Sequence, residues 1–419
     1  MIEKFFTQPK TLSRLRSGLF GPHLVALASA LDEAKYSNAS IRRHLRAADH
    51  FGTWVQQQAI EPDQVDGATI ECYTRGLGRL YSLRSPQGRL PHKALGLRQF
   101  LELLRQRGAV KALAEKGPRS SVEAWLAKYE GHLRSTIGSA PKTCENYLRC
   151  ARRLLYDLFA ETEIEWSKLT AAVIRNHVQL QAAKLKSGSN GLPITATRSL
   201  LRFLAFKGVV PEGLLGAVPS VLTWRHAAIP RAISEDDVER VIAICDPSST
   251  YGLRERAIVL LLARLGLRAS EVIQLRIDDI EWVRGSILIR AGKTNRERSL
   301  PLSEEVGGAL AAYLRQARPL AEHKEIFLRW KPPFRPLRSS VSICALTRRL
   351  LRRAGISVHR PGAHVFRHSL ATRMVINGVS FKTVADVLGH QSVATTEIYA
   401  KLDLGSLSQV AMPWPGGER

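Results

Sequence analysis

Apolar residues recur at helical spacing through most of the chain. Leu24, Leu27, Ala28 and Leu31 fall at i, i+3, i+4 and i+7, one face of an amphipathic helix with Pro22 near its first turn. Leu45, Ala48, Phe51 and Val55 make a second such face, and Leu148, Ala151, Leu154 and Leu158 repeat it 103 residues later. Both stretches open on a hydroxyl side chain, Ser40 and Thr143. Two readings stand: duplication of a small helical module, or two unrelated helices sharing a generic pattern. Leu253–Leu265 predicts a strongly apolar helix. Ser286–Arg290 and Arg298–Leu302 bracket Gly292-Lys293-Thr294-Asn295, the pattern of a β-hairpin. After it helices dominate to about Leu407, and the tail from Pro413 reads as irregular. The predicted fold is mainly α with a small antiparallel β-sheet.

Two breaks divide the chain. Lys116-Gly117-Pro118-Arg119 precedes Ser120, with Glu123 three residues on, a capping-box start for a new helix. Val209–Arg231 holds Pro211, Pro219 and Pro230 and leads to Ser234-Glu235-Asp236-Asp237, an N-cap with acids in the first turn. Three domains are expected: 1–118, 119–228 and 229–419.

Composition narrows the function. The 419 residues give room for two or three domains, and 45% hydrophobic with 24% charged residues is a globular balance. Lys and Arg number 62 against 37 Asp and Glu, a net charge of +25. Such an excess points to a polyanionic partner, nucleic acid by default. The longest aliphatic run, Ala257–Ala263, is far short of the roughly twenty residues of a membrane helix. Gly21-Pro22-His23 breaks the one stretch that imitates a secretory signal. Five dispersed cysteines with no Cys-x-x-Cys pair fit a reducing compartment. A cytoplasmic protein with no membrane partner is expected, its seven tryptophans read as core.

No zinc or magnesium spacing occurs, and Gly292-Lys293-Thr294 lacks the upstream glycine of a phosphate loop, having Ile287 there. What remains is a set of cations and one phenol: Arg268 with Glu271, Lys293, His364 with Arg367 one helical turn on, His390, and Tyr399. Singly, each has a bland reading as a surface charge, a helix-start histidine, a core tyrosine or a structural carboxylate. Together they fit attack on a DNA phosphodiester. A phenol can serve as nucleophile and leaving group. Two guanidiniums can clamp the non-bridging oxygens. A lysine can protonate the departing oxygen.

In this order the residues resemble the tyrosine recombinases, the phage-integrase family. Four blocks carry the likeness: Leu265-Gly-Leu-Arg268-Ala-Ser-Glu271, Gly292-Lys293-Thr-Asn-Arg-Glu-Arg298, His364-Val-Phe-Arg367-His-Ser-Leu-Ala-Thr372, and Leu388-Gly-His390 through Thr395-Thr396 to Tyr399. The likeness spans about 234–404. Residues 119–228 resemble the family's helical core-binding domain more weakly, and 1–118 match only through their similarity to 119–228.

The resemblance implies helical DNA-clamp domains joined to a tyrosine-recombinase catalytic domain. It gives Tyr399 the attack on phosphorus, Arg268 and Arg367 the non-bridging oxygens, and His364 a hydrogen bond to the same phosphate. Lys293 is the implied general acid, His390 supports the transition state, and Glu271 orients its surroundings. No ATP, metal or other cofactor is implied. The implied partners are double-stranded DNA recombination sites and a homotetramer, with an accessory protein left open. Thr294 stands where relatives often carry glycine, and Ala400-Lys401 where many have a histidine. The apolar tail, Leu402 to Val410, packs on its own domain or on a neighbouring subunit. Arg348, Arg349, Arg352 and Arg353 form a basic helical stripe that contacts DNA or is simply solvated. Arg42 and Arg46, and Arg149 and Arg153, make weaker stripes of the same kind.

The reading is a site-specific recombinase, the integrase or transposase of a mobile element. Its rivals are a type IB topoisomerase or hairpin resolvase, against which the Thr-Thr-x-x-Tyr block speaks, and a catalytically silent architectural DNA-binding protein.

Overall fold

The computed structural model describes residues 1–80, 92–110, 120–159, 163–183, 191–219, 232–291 and 297–390. They divide into two compact units, Leu113–Arg225 and the combination of Met1–Ala112 with His226–Arg419. Lys293, Tyr399, the hairpin turn, and the tail from Leu402 lie outside the described residues.

In Met1–Ala112 a short α1 (Pro9–Ser17) leads to four helices, α2 (Gly21–Glu33), α3 (Asn38–Gln57), α4 (Gly67–Leu80) and α5 (His92–Gln106). The face read from the sequence is the buried one: Leu24, Leu27, Ala28 and Leu31 of α2 are 5% exposed or less. Pro22 sits in the first turn of α2, where its missing N–H has no intrahelical partner to lose. With Phe20, Phe51 and Phe100 these residues form a separate core.

Leu113–Arg225 holds α6 (Ser121–Gly131), α7 (Pro141–Phe159), α8 (Ala171–Ala183) and α9 (Gly191–Phe206) around its own core. Ser120 caps α6 as its sequence predicts, its hydroxyl accepting from the Glu123 N–H at 3.3 Å. The buried Tyr129 hydroxyl donates to Ser199 at 2.8 Å, tying α6 to α9.

His226–Arg419 is built around α11 (Thr250–Ala263), whose residues Ala257–Ala263 are buried without exception. A helix apolar all round must be enclosed, and α11 is enclosed by α10 (Glu235–Ala243), α12 (Ala269–Gln274), α13 (Glu304–Gln316), α14 (Val341–Arg353) and α15 (His364–Ile376). Ser234 caps α10 through the Asp237 N–H. Beyond α12 stands a three-stranded antiparallel sheet, β1 (Ile280–Glu281), β2 (Ser286–Ile289) and β3 (Arg298–Pro301), in that spatial order. Ile287 pairs with Leu300 and Ile289 with Arg298, so Ile287, Ile289 and Leu300 face the core. The hairpin expected from the sequence is therefore present in its two strands. A last helix, α16 (Phe381–Leu388), packs on α15.

The tryptophans depart from expectation. Among the described residues none is fully buried, and Trp282 in the β1–β2 turn is 47% exposed. Trp330 lies on the half-exposed ring of Tyr251, centroids 3.9 Å apart. Trp54, Trp125 and Trp166 are partly buried and pack against the margins of the cores that Leu, Ile and Phe fill.

Candidate active site

The site forms where α11, α12, β3, α15 and α16 meet, and two glycines make the meeting possible. Gly266 follows α11 in the left-handed region, φ +63°, and a Cβ there would lie 2.6 Å from Leu388 Cδ2. Only glycine takes both the backbone angle and the close approach without strain. The turn aims the Gly266 carbonyl at Arg367, whose Nη1 donates to it at 2.6 Å. Gly389 closes α16 in the same way, φ +62°, with Arg298 Nη1 2.5 Å from where a Cβ would stand.

The last carbonyls of a helix have no intrahelical donor. Here three guanidiniums take them in succession. Arg298 Nε donates to Val387 O at 2.9 Å, Arg367 Nη2 to Leu388 O at 2.5 Å, and Arg268 Nη2 to Gly389 O at 2.9 Å. Cations also suit the negative end of the helix dipole. Arg268, Arg298 and Arg367 come from three different elements and converge on three consecutive residues.

Glu271 links two of them. It stands at the third position of α12, where its Oε2 accepts the Arg268 main-chain N–H at 2.8 Å. Its Oε1 accepts Arg268 Nη1 at 2.7 Å, and Arg298 spans both oxygens at 3.2 and 2.9 Å. Burial alone would raise the pKa of this carboxyl. The Arg298 and Arg268 contacts outweigh it, and Glu271 is held below the usual carboxylate range.

His390 follows Gly389, its N–H bonded to Ala385 O at 2.9 Å and its ring buried. Burial first, and then the charges of Arg367, Arg268, His368 and Arg298, push it down to about 4, so it is a neutral imidazole near pH 7. His364 opens α15 with its side chain exposed, its ring 6.0 Å from that of His368 and edge-on to it. Burial also lowers His368, with His364 and Arg367 adding to the effect. Neutral imidazoles can donate and accept hydrogen bonds without adding charge.

Of the residues singled out in the sequence, Arg268, Glu271, Arg367 and His390 come together, and His364 is joined to them through His368. Lys293 and Tyr399 are outside the described residues. Arg298 and His368 were quoted within their blocks but given no role. The signal for Arg298 was an arginine on the return strand of the hairpin that carries Lys293, in register with Ile289.

The basic stripes are less uniform than they look in sequence. On α14, Arg349 and Arg353 both bond the buried Glu255 of α11, while Arg348 and Arg352 are exposed on either side of Leu351. On α7, Arg149 donates to Asn146 at 2.9 Å and Arg153 is exposed. On α3, Arg42 is exposed and Arg46 lies over the Phe6 ring at 5.5 Å. Among the described residues no helix is long and apolar enough to cross a membrane.

Residues 231–404 match the model of the phage integrase family. The Sinorhizobium fredii protein y4rA, named as an integrase/recombinase, is 37% identical over 406 residues, 97% of this chain and 97% of that protein. The chain belongs to the phage integrase family. These are the tyrosine recombinases, enzymes that break and rejoin DNA. The tyrosine recombinase XerA of Thermococcus kodakarensis is 29% identical over 272 residues, 64% of this chain and 88% of that protein. Among solved structures, the XerH site-specific recombinase bound to its difH substrate after cleavage shares the fold at a TM-score of 0.56 and 18% identity, over 71% of this chain and 97% of that one. The Tn1549 transposon integrase bound to circular-intermediate DNA shares it at 0.52 and 15% identity, over 68% and 99%.

Proposed function

We propose that this recombinase cuts and rejoins double-stranded DNA at specific sites through Tyr399, as the integrase or transposase of a mobile element. The observation that carries this is the seating of Arg268 and Arg367 on the adjacent carbonyls of Gly389 and Leu388, next to His390. That seating fixes two forked cations and a neutral imidazole at the start of the segment that leads, nine residues on, to Tyr399.

In the proposed reaction the Tyr399 phenolic oxygen bonds to phosphorus and passes its proton to water. The bond from phosphorus to the 5′ oxygen breaks, and Lys293 gives that oxygen its proton. A 3′-phosphotyrosyl link results. Arg268 and Arg367 hold the non-bridging oxygens while negative charge builds on them. His364 and His390 supply hydrogen bonds, and Glu271 keeps Arg268 in place. Attack by a 5′ hydroxyl of the partner strand reverses each step, so the bond energy is retained and no nucleotide is hydrolysed.

Residues 229–419 act as the catalytic domain and 119–228 as the core-binding domain. Arg348 and Arg352 on α14, with Arg149 and Arg153 on α7, meet the DNA backbone. The assembly is a homotetramer on two duplexes. Relatives solved on DNA, among them the XerH complex with difH, support duplex DNA as the partner.

The test is a nicked duplex carrying the element's own end sequence, incubated with EDTA. The wild-type chain should be trapped as an SDS-resistant adduct, and Tyr399→Phe should abolish trapping while still shifting the duplex in a gel. An adduct that persists in the Phe variant, or that forms only with added divalent metal, would overturn the assignment.

A further inference from the structure

From α2 onward, residues 21–110 are built to the same plan as 120–219, with the turn Ile2–Lys4 and α1 standing outside the match. On α2 the face Leu24, Leu27, Ala28, Leu31 matches Val122, Trp125, Leu126, Tyr129 of α6, 98 residues on. On α3, Ile41, Ala48 and Phe51 match the equally buried Cys144, Ala151 and Leu154 of α7 at an offset of 103. The five-residue change is the π-type turn His132–Thr136, which lies between α6 and α7.

The match continues beyond those helices. A 3-10 turn follows each long helix, Pro62–Gln64 and Trp166–Lys168, 104 residues apart. The buried Val65 and Leu169 come next, and then a side-chain cap at the same place. Asp66 accepts the Thr69 N–H at 2.9 Å, and Thr170 accepts the Val173 N–H at 3.4 Å. The last helices, α5 and α9, align at an offset of 100. Leu101 and Leu104 match Leu201 and Leu204, and both helices end on a left-handed glycine, Gly108 at φ +67° and Gly208 at φ +69°. The packing order is also shared: α2 on α3, α3 on α5 and α4 on α5, against α6 on α7, α7 on α9 and α8 on α9.

Charge is duplicated with the architecture. Residues 1–118 hold 18 Lys and Arg against 10 Asp and Glu, and 119–228 hold 15 against 8. Cations recur at equivalent positions, Arg46 with Arg149, Arg98 with Arg198, and Arg107 with Lys207. The exposed side of α3 carries Arg42, Arg43 and Arg46 and no exposed acid, since its one carboxylate, Asp49, is buried against Arg14. Among the described residues none of the three arginines pairs with a carboxylate; Arg43 reaches only the Ser40 hydroxyl. A cationic helix face held without internal counter-charge suits a regular array of phosphates.

We propose that residues 21–110 are a second copy of the module 120–219, and that the α3 face of this copy binds the backbone of duplex DNA. The inference rests on the recombinase reading above. It adds a second sequence-independent contact on the same chain.

The experiment measures binding of the full chain to a labelled duplex of arbitrary sequence, about 30 bp long, from roughly 0.05 to 0.2 M salt. Each phosphate contact contributes about 0.9 to the slope of log affinity against log salt. R42Q/R43Q/R46Q should flatten that slope by about 2 to 3 and weaken low-salt binding at least tenfold, and R42K/R43K/R46K should restore both. R149Q/R153Q, in the second module, serves as the parallel measurement. An unchanged slope in the α3 variant while R149Q/R153Q flattens it overturns the inference and leaves the recombinase reading standing. If neither variant changes the slope, the DNA role of the second module falls as well. A loss of self-association without a change in slope also overturns the proposal, since α3 would then be a protein contact. If the triple variant fails to fold by circular dichroism, R42Q/R43Q decides, because neither of those side chains covers an aromatic ring.

Discussion

Replacing Arg298 with alanine removes three contacts at once, two to Glu271 and one to Val387 O. The Arg298 side chain is 10% exposed and that of Glu271 8%, so water replaces them poorly. Breaking a buried ion pair from one side costs about 3–5 kcal/mol. Arg268 still bonds Glu271, so the lower end, about 3 kcal/mol, is expected. The loss should be local. Amide exchange in peptides spanning 381–390 should speed up about a hundredfold at neutral pH, where a factor of ten is about 1.4 kcal/mol. The sign with pH is fixed by Glu271. Its folded pKa is depressed, so its stabilising effect is present above the ordinary carboxylate range and is lost as pH falls through the lower folded value. In the variant burial gains the upper hand and the carboxyl protonates early. The gap between wild type and variant should therefore narrow toward pH 4. Exchange that quickens less than about fivefold at pH 7, or a gap that stays constant with pH, would show that the Glu271–Arg298 pair does not hold the α16 terminus.

Three further outcomes are expected. His390 is pushed down to about 4, against about 6.5 when unfolded, so acidification through that window should cost about 3 kcal/mol; urea midpoints against pH should show this slope, and His390→Asn should flatten it. Gly266→Ala forces a Cβ to 2.6 Å from Leu388 Cδ2 at φ +63°, and should lower stability by about 2–4 kcal/mol, the backbone angle alone accounting for about 1–2; a urea midpoint indistinguishable from wild type would mean the turn is not needed. Lys293→Ala should slow cleavage yet be rescued by a substrate with sulfur at the bridging 5′ position, which departs without a proton, and absence of rescue would remove Lys293 from the acid role.

Much of this was legible in the chain because local rules coincide with the fold. The Leu24 to Leu31 face, the Ser120 and Ser234 caps and the two hairpin strands each follow from a few adjacent residues. The role of Arg298 was hidden because its partners are a main-chain carbonyl 89 residues away and a carboxylate on the helix α12. Backbone acceptors leave no trace in side-chain patterns. The pairing within the α14 stripe was hidden by the same distance in sequence: Glu255, far off along the chain, bonds two of its four arginines. The shared plan of the two helical modules showed through only one helix pair, since loops of unequal length shift the offset from 98 to 103, 104 and 100, and no single alignment displays all of it.

The way the α16 terminus is fastened has a consequence for the phosphate. Carbonyl dipoles anchor Arg268, Arg298 and Arg367 without cancelling their charge, and Glu271 bonds both Arg268 and Arg298. With the neutral His390 imidazole beside them, more guanidinium charge than carboxylate charge stands at this terminus. A resting phosphodiester carries one negative charge, whereas the five-coordinate phosphorus of the transition state carries two. On the function proposed above, anchoring that spends carbonyl dipoles in place of counter-charges keeps the guanidiniums available for the added charge at the crest of the reaction.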